Sequence, residues 1–325
     1  MPLSKLELKL NRRVAKAVTA FRLIEDGDRI MVALSGGKDS HAMLHLLHAM
    51  RARVPIDFEL IAVHLDQAQP GYDGRSLVDY LEARGYAYRI IRADTYSIVR
   101  EKTKPGQAYC FLCSRLRRGL LYRAALDLGC NKIALGHHRE DALETLLLNL
   151  IFSGQLKTMP AWLTSDDGRN TVIRPLIYCE ESDLARLADE KAFPILPCNL
   201  CGSQEKLQRR EVRKVLDEIE ARWPGASARM LAGLGHVRPS HLLDPGLWAR
   251  LGMGPKAAPP PRCVGDDASE TSDKTHRISY EVQMDSSLST TAIFDFDEAG
   301  EVDRNALDNG DVSPLTQTDS SLIDV

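Results

Sequence analysis

Residues Ser35–Gly36–Gly37–Lys38–Asp39–Ser40 gather what a phosphate group needs. The two glycines permit a sharp turn and a close backbone approach to a ligand. Free N–H groups and the positive end of a following helix attract an anion. Lys38 adds a mobile cation, and Ser35 and Ser40 add hydroxyls. Asp39, the only carboxylate of the six, suits a Mg²⁺ ion between phosphates. Neither G-x-x-x-x-G-K-S/T nor G-x-G-x-x-G is present, so this is a different kind of phosphate loop. A second group, Gly136–His137–His138–Arg139–Glu140–Asp141, opens another helix. Asp141 is there either a second Mg²⁺ ligand or an acid stabilised by the helix dipole.

Cysteines form the third group. The chain has 7: Cys110, Cys113, Cys130, Cys179, Cys198, Cys201 and Cys263. An odd number in a reducing compartment does not make a disulfide framework. Cys110–Cys113 and Cys198–Cys201 are C-x-x-C pairs. They are consistent with a four-thiolate zinc site, an iron–sulfur cluster, or a redox dithiol of Cys110 and Cys113. Spacing alone does not choose between them, and on the residues themselves zinc leads slightly. Cys130, Cys179 and Cys263 match no motif and read as two small buried residues and one in the tail.

These groups need elements to position them. Apolar runs predict strands at 29–34, 58–65, 86–91 and 132–135, with a final short strand over 172–176. Helical spacing predicts helices over 2–25, 40–50, 76–84, 111–128, 140–152, 180–191, 204–222 and 226–234. Segments 67–74, 92–107 and 154–169 read as irregular. Alternating strands and helices predict an α/β fold: a parallel twisted sheet with helices on both faces, an N-terminal helix and a C-terminal helical extension. Ligands of such sheets bind beyond the carboxyl ends of the strands. Ser35, His64–Asp66 and Gly136–His138 all fall at such ends.

SGGKDS (Ser35–Ser40) resembles the pyrophosphate loop of the PP-loop ATP pyrophosphatases, and GHHREDALET resembles their GHHxxDxxET segment, with Glu144 and Thr145 completing it. CFLCSRLRRG (Cys110–Gly119) and PCNLCGSQ (Pro197–Gln204) extend the resemblance, over most of Met1–Leu234, to the tRNA 2-thiocytidine synthetases, the cytidine-32 2-sulfurtransferases. The resemblance implies that ATP, with Mg²⁺, adenylates the C2 oxygen of a tRNA cytidine before sulfur replaces it. It assigns Ser35, Gly36, Gly37, Lys38, Asp39, Ser40, His64 and Gly136 to the nucleotide, and Lys38, Asp39 and Asp141 to catalysis. It implies a [4Fe-4S] cluster on Cys110, Cys113 and Cys201, with Cys198 the rival third ligand, and one iron left open. It also implies tRNA as substrate and a cysteine desulfurase as sulfur donor. Two alternatives stand beside it: another PP-loop tRNA modifier of 2-thiouridine or lysidine type, and a non-catalytic, zinc-stabilised RNA-binding protein.

The net charge of -3 conceals an asymmetry. Residues 251–325 hold 5 Lys/Arg and 15 Asp/Glu, leaving 37 basic and 30 acidic residues upstream. A basic body suits a polyanion partner. Lys5, Lys9, Arg12, Arg13 and Lys16 share one face of the first helix, a solvated face or an RNA flank. Arg115, Arg117, Arg118 and Arg123, and Gln208–Lys214 (QRREVRK), follow the two cysteine pairs and read either as two solvated helix faces or, favoured by that position, as RNA phosphate contacts. The expected organisation is an N-terminal helical segment 1–27, an ATP-binding α/β domain 28–195 with a C-x-x-C insertion, a second cysteine and RNA-contacting helical region 196–250, and an acidic disordered tail 251–325. A hydrophobic content of 44% supports a sizeable core. No apolar run of about 18 residues and no signal-like N-terminus occur, so a cytoplasmic protein without a membrane partner is expected. A homodimer is the assembly considered.

Overall fold

The structure, a computed structural model, describes residues 3–102, 110–165, 167–196 and 205–254. By internal contacts, residues up to Leu231 form one compact unit and described residues from Ala232 a second, small one. The first unit is built on strands β1 (Arg29–Ala33), β2 (Glu59–Asp66), β3 (Tyr88–Arg92), β4 (Lys132–Ala134), β5 (Trp162–Thr164) and β6 (Thr171–Ile173). They form one sheet in the order β3-β2-β1-β4-β6-β5. The helices are α1 (Lys5–Phe21), α2 (Lys38–Arg51), α3 (Arg75–Ala83), α4 (Thr95–Lys102), α5 (Cys110–Asp127), α6 (Arg139–Phe152), α7 (Glu181–Lys191), α8 (Glu205–Arg222) and α9 (Ala226–Leu234). The second unit includes a 3-10 turn (Pro239–His241) and α10 (Pro245–Arg250), capped by Asp244.

Strand pleating divides the apolar residues between two layers. Ile30 and Val32 of β1, with Leu60 and Ala62 of β2, enter a core shared with Leu10, Leu46, Leu77 and Leu184 of α1, α2, α3 and α7. Met31, Ala33, Ile61 and Val63 face the other way, onto Leu121, Ala124 and Ala125 of α5. Both faces of the sheet are therefore covered, which is why β1 and β2 read as unbroken apolar runs. Residues 1–27 contribute Leu10, Val14 and Ala17 to the first of these cores.

Two stretches differ from expectation. Segment 92–107 is not wholly irregular: Asp94 accepts a hydrogen bond from the Ser97 N–H at 2.9 Å and starts α4. Segment 154–169 contains β5, which pairs antiparallel with β6, so the sheet is parallel except at this edge. A tight return, with Ser165 N–H donating to the Asn170 carbonyl at 2.8 Å, makes that pairing possible. The expected acidic, disordered tail lies, beyond residue 254, outside the described residues. Among the described residues, no helix is long and apolar enough to cross a membrane.

Ser4 caps α1 and forms a reciprocal capping box with Glu7. Glu7 is nonetheless buried, because its carboxylate also accepts from His45 Nε2 at 2.7 Å and meets Lys191 Nζ at 3.0 Å. Burial pushes the Glu7 carboxyl up. The Ser4 N–H, His45 and Lys191 together outweigh it and bring the carboxyl down to about 2. Because the folded value is depressed, this stabilisation is complete above the unfolded value of 4.5 and fades as pH falls toward about 2. Glu7→Gln is expected to lower the urea midpoint at pH 7, with the gap to wild type narrowing as pH drops to 3. A gap independent of pH would refute that electrostatic account.

Candidate active site

From β1 the chain runs to β2 and β3 on one side, while β4 lies on the other side of β1. The connections therefore diverge between β1 and β4, where doubly wound sheets open a crevice. The glycine loop leaves β1 there, and residues 135–138 leave β4 beside it. The contact is close. A Cβ on Gly136 would lie 3.1 Å from Ser40 N and 3.3 Å from the Asp39 carbonyl carbon. Those are backbone atoms, so glycine is what allows the two loops to touch.

Within the glycine loop, Gly36 has φ +86°. A Cβ there would meet Leu196 Cδ1 at 2.9 Å, and the Leu196 N–H donates to the Gly36 carbonyl at 3.0 Å. The chain leading to the second cysteine pair is thus laid against the loop. Ser40 Oγ donates to the Gly37 carbonyl at 2.9 Å and lies 3.1 Å from Ser35 Oγ, fixing the turn. Gly37 is the N-cap of α2 and no side chain caps that helix, so its first N–H groups remain for a ligand.

Charge is arranged around this crevice in a closed circuit. Lys38 Nζ lies 3.0 Å from Asp39 and 2.8 Å from Glu181. Glu181 pairs with Arg213, which holds Glu144 at 2.8 Å. Arg209 lies 3.7 Å from Glu144 and 3.9 Å from Asp141. Asp141 sits 3.3 Å from His138 Nε2, which is 3.9 Å from Asp39. Four cations and four carboxylates alternate around the ring. The Asp141 carboxylate also accepts from the His138 N–H at 2.9 Å, across the start of α6.

Titration follows from these neighbours. Burial pushes Asp39 up, only partly offset by His138 and Lys38. Burial works against the His138 cation, but Glu140, Asp141 and Asp39 overcome it and raise its value. Burial likewise opposes the Lys38 charge, and Glu181 and Asp39 outweigh it. Burial dominates at Glu144 and raises it despite Arg213.

The structure brings Ser35, Gly36, Gly37, Lys38, Asp39, Ser40, Gly136 and Asp141 to one place. His64 lies at the same sheet edge with both ring nitrogens engaged. Nδ1–H donates to the Leu34 carbonyl at 2.7 Å, and Nε2 accepts from the Tyr72 hydroxyl at 2.6 Å. Burial keeps the ring neutral, consistent with that tautomer. His64 thus braces the strand end from which the loop springs. Sequence reasoning missed Tyr72 and Glu181, and it assigned Arg209 and Arg213 to RNA. Their i,i+4 spacing was the available signal. On α1, Lys9 and Arg13 meet Asp183 at 2.5 and 3.4 Å, so part of that basic face is bound to α7.

Cys110 and Cys113 stand in the first turn of α5, although their side chains, and all of Cys198, Cys201 and Cys263, lie outside the described residues. Cys130 and Cys179 are free thiols buried in the two cores, and burial pushes Cys179 up to about 12.

Residues 6–216 match the PP-loop domain family. A tRNA-cytidine(32) 2-sulfurtransferase of Sorangium cellulosum is 60% identical over 249 residues, covering 77% of this chain and 88% of that protein. The protein of that name from Aeromonas hydrophila is 55% identical over 241 residues, 74% of this chain and 80% of its own. The chain belongs to the tRNA-cytidine(32) 2-sulfurtransferase family. The U34-tRNA thiolase NcsA from Methanococcus maripaludis, solved with its [4Fe-4S] cluster, has the same fold: TM-score 0.56 at 24% identity, covering 72% of this chain and 80% of that one.

The Gly136 contact yields a direct test. Gly136→Ala should reduce ATP turnover at least about tenfold, as a displaced catalytic group would. The melting temperature should change by only a few degrees. Unimpaired turnover would show that the two loops need not touch.

Proposed function

We propose that this chain converts cytidine 32 of the tRNA anticodon loop to 2-thiocytidine, using ATP to activate the C2 oxygen. The family relationship to sulfurtransferases of that name carries the reading. It is supported by the phosphate cradle built from Ser35–Ser40 against Gly136. ATP lies with its phosphates on the glycine loop, at the N-terminus of α2. The C2 oxygen attacks the α-phosphorus, an O–P bond forms, and the bond to pyrophosphate breaks. Lys38 neutralises charge on that leaving group. A sulfide nucleophile then forms the C–S bond at C2 while the C–O bond breaks and AMP departs with the oxygen. The sulfur comes from a cysteine desulfurase persulfide. Its S–S bond is cleaved by two electrons from a dithiol reductant, itself oxidised to the disulfide, so that the outer sulfur is released as sulfide. The reaction takes place in the cytoplasm with its tRNA. The target base must leave its stack, which an anticodon loop permits more easily than a duplex.

The residues present fit two further groups. Asp39 Oδ1 is buried without a hydrogen-bond partner, and Asp39 and Asp141 converge on one cation. They would hold Mg²⁺, which supplies counter-charge to the phosphates. For an iron–sulfur cluster the chemistry of the donor set is what supports the fit: two C-x-x-C pairs offer thiolates, the ligands such clusters take, while Cys130 and Cys179 are buried in the cores. Cys110, Cys113 and Cys201 would hold a [4Fe-4S] cluster whose unligated iron supplies an open coordination position for inorganic sulfur.

Deleting the gene should abolish 2-thiocytidine in nucleoside mass spectrometry of total tRNA. Wild type should restore it and Asp39→Asn should not; persistence of the nucleoside in the deletion strain would sink the assignment. Anaerobically purified wild type should be brown and carry about four irons per chain. Cys110→Ser and Cys201→Ser should lose iron, and Cys198→Ser should retain it. A colourless wild type with stoichiometric zinc would count against the cluster.

A further inference from the structure

Helix α8 carries a run of basic residues whose sequence position suits RNA. Its two faces do different things in the structure. Arg210 and Lys214 lie on the exposed face, and Lys214 pairs with exposed Glu211 at 2.6 Å. Arg209 and Arg213, four residues apart, share the inner face and reach the nucleotide crevice. There they join Lys38 and His138, so four cations from three segments surround the space before the α2 and α6 N-termini.

We propose that Arg209 and Arg213 bind the phosphate chain of ATP and stabilise the departing pyrophosphate, a role that no motif of the chain announces. The inference rests on the ATP-cleaving reading above and deepens it. Three observations carry it. First, each arginine is held by a carboxylate that also serves another cation of the crevice. Glu181 bridges Arg213 to Lys38, and Asp141 bridges Arg209 to His138. These arginines therefore sit one carboxylate away from the loop lysine and from the histidine at the α6 N-terminus. Second, Asp39 Oδ1 is a buried acceptor left without a hydrogen bond, a position that suits the Mg²⁺ accompanying a triphosphate and so places the phosphates beside these cations. Third, the ring is balanced without a nucleotide. An incoming triphosphate brings several negative charges and can be accommodated only if cations change partners. The guanidinium group is the side chain best suited to do so, since its planar fork engages a phosphate through two N–H groups as readily as a carboxylate. Glu144 and Glu181 then act as resting partners, keeping the arginines aimed at the crevice.

The test separates pyrophosphate from RNA as the ligand of this face. Full-length, cluster-loaded protein would be assayed for pyrophosphate release with ATP and tRNA, for inhibition by added magnesium pyrophosphate, and for tRNA binding as a function of salt. Arg213→Ala should lower kcat/KM for ATP about a hundredfold, the scale expected for losing one donor to developing charge. It should also weaken pyrophosphate inhibition at least tenfold. tRNA affinity and the slope of that affinity with salt should be unchanged. Arg213→Lys should recover part of the loss. The double variant Arg210→Ala, Lys214→Ala should leave pyrophosphate inhibition intact. If Arg213→Ala does not fold, judged by circular dichroism, Arg209→Ala and Arg213→Lys carry the same readings. Weakened tRNA binding with a shallower salt slope, and ATP kinetics like wild type, would overturn the inference. Wild type that releases no pyrophosphate at all would instead overturn the function on which it rests.

Discussion

Compensation of buried and half-buried charge is the constraint on which the rest of this site depends. A crevice meant for polyphosphate must collect cations, and cations collected without partners repel one another. Here each one stands between two carboxylates, and the acids come from α2, α6 and α7. The pairing does structural work as well. It joins α8 to α6 and α7, whose sequence positions lie 69 and 32 residues from Arg213. A modest apolar contact of Val212 and Leu216 with Leu143 and Leu148 supports the same junction.

The sheet makes such a circuit possible by delivering distant segments to one edge. Two parallel strands, β1 and β4, end side by side, and a helix starts after each. Their N-termini supply partial positive charge to the same space. Side chains that would obstruct this convergence are missing at two points, Gly36 and Gly136, and the obstruction would come from Leu196 in one case and from backbone in the other. Beside them, His64 ties β2 to the end of β1 through the Leu34 carbonyl, so three strand ends are held in register beneath one crevice.

Much of this was legible because it is local. The glycine loop, its flanking strand and helix, and the acidic start of α6 are each contained within a few residues, and their chemistry follows from composition and order. The two-faced sheet was legible from the unbroken apolar runs of β1 and β2. Other features depended on partners far along the chain. Arg209 and Arg213 belong to a charge run that looks the same whether it meets water, RNA or Glu144. Lys9 and Arg13 on α1 are of the same kind, since Asp183 lies 170 residues from Arg13. Strand β5 has 3 residues, too few to show a period, and it is defined by its pairing with β6. Tyr72 was hidden in a stretch rich in turn residues, and only the return of that loop onto β2 gives its hydroxyl the His64 ring.

The alternating circuit also has a kinetic meaning. Opposite charges a few ångströms apart cancel one another's field beyond roughly one Debye length, about 8 Å at physiological salt. Lys38, His138, Arg209 and Arg213 are therefore nearly invisible to an anion still diffusing in solvent. Their attraction is felt only after contact, as residence rather than as capture. Long-range guidance of a polyanion falls to basic groups outside the circuit, and the excess of 37 basic over 30 acidic residues in the first 250 positions is where it resides. Arrival and retention are thus assigned to different charges of the same molecule, and selection can alter one without disturbing the other.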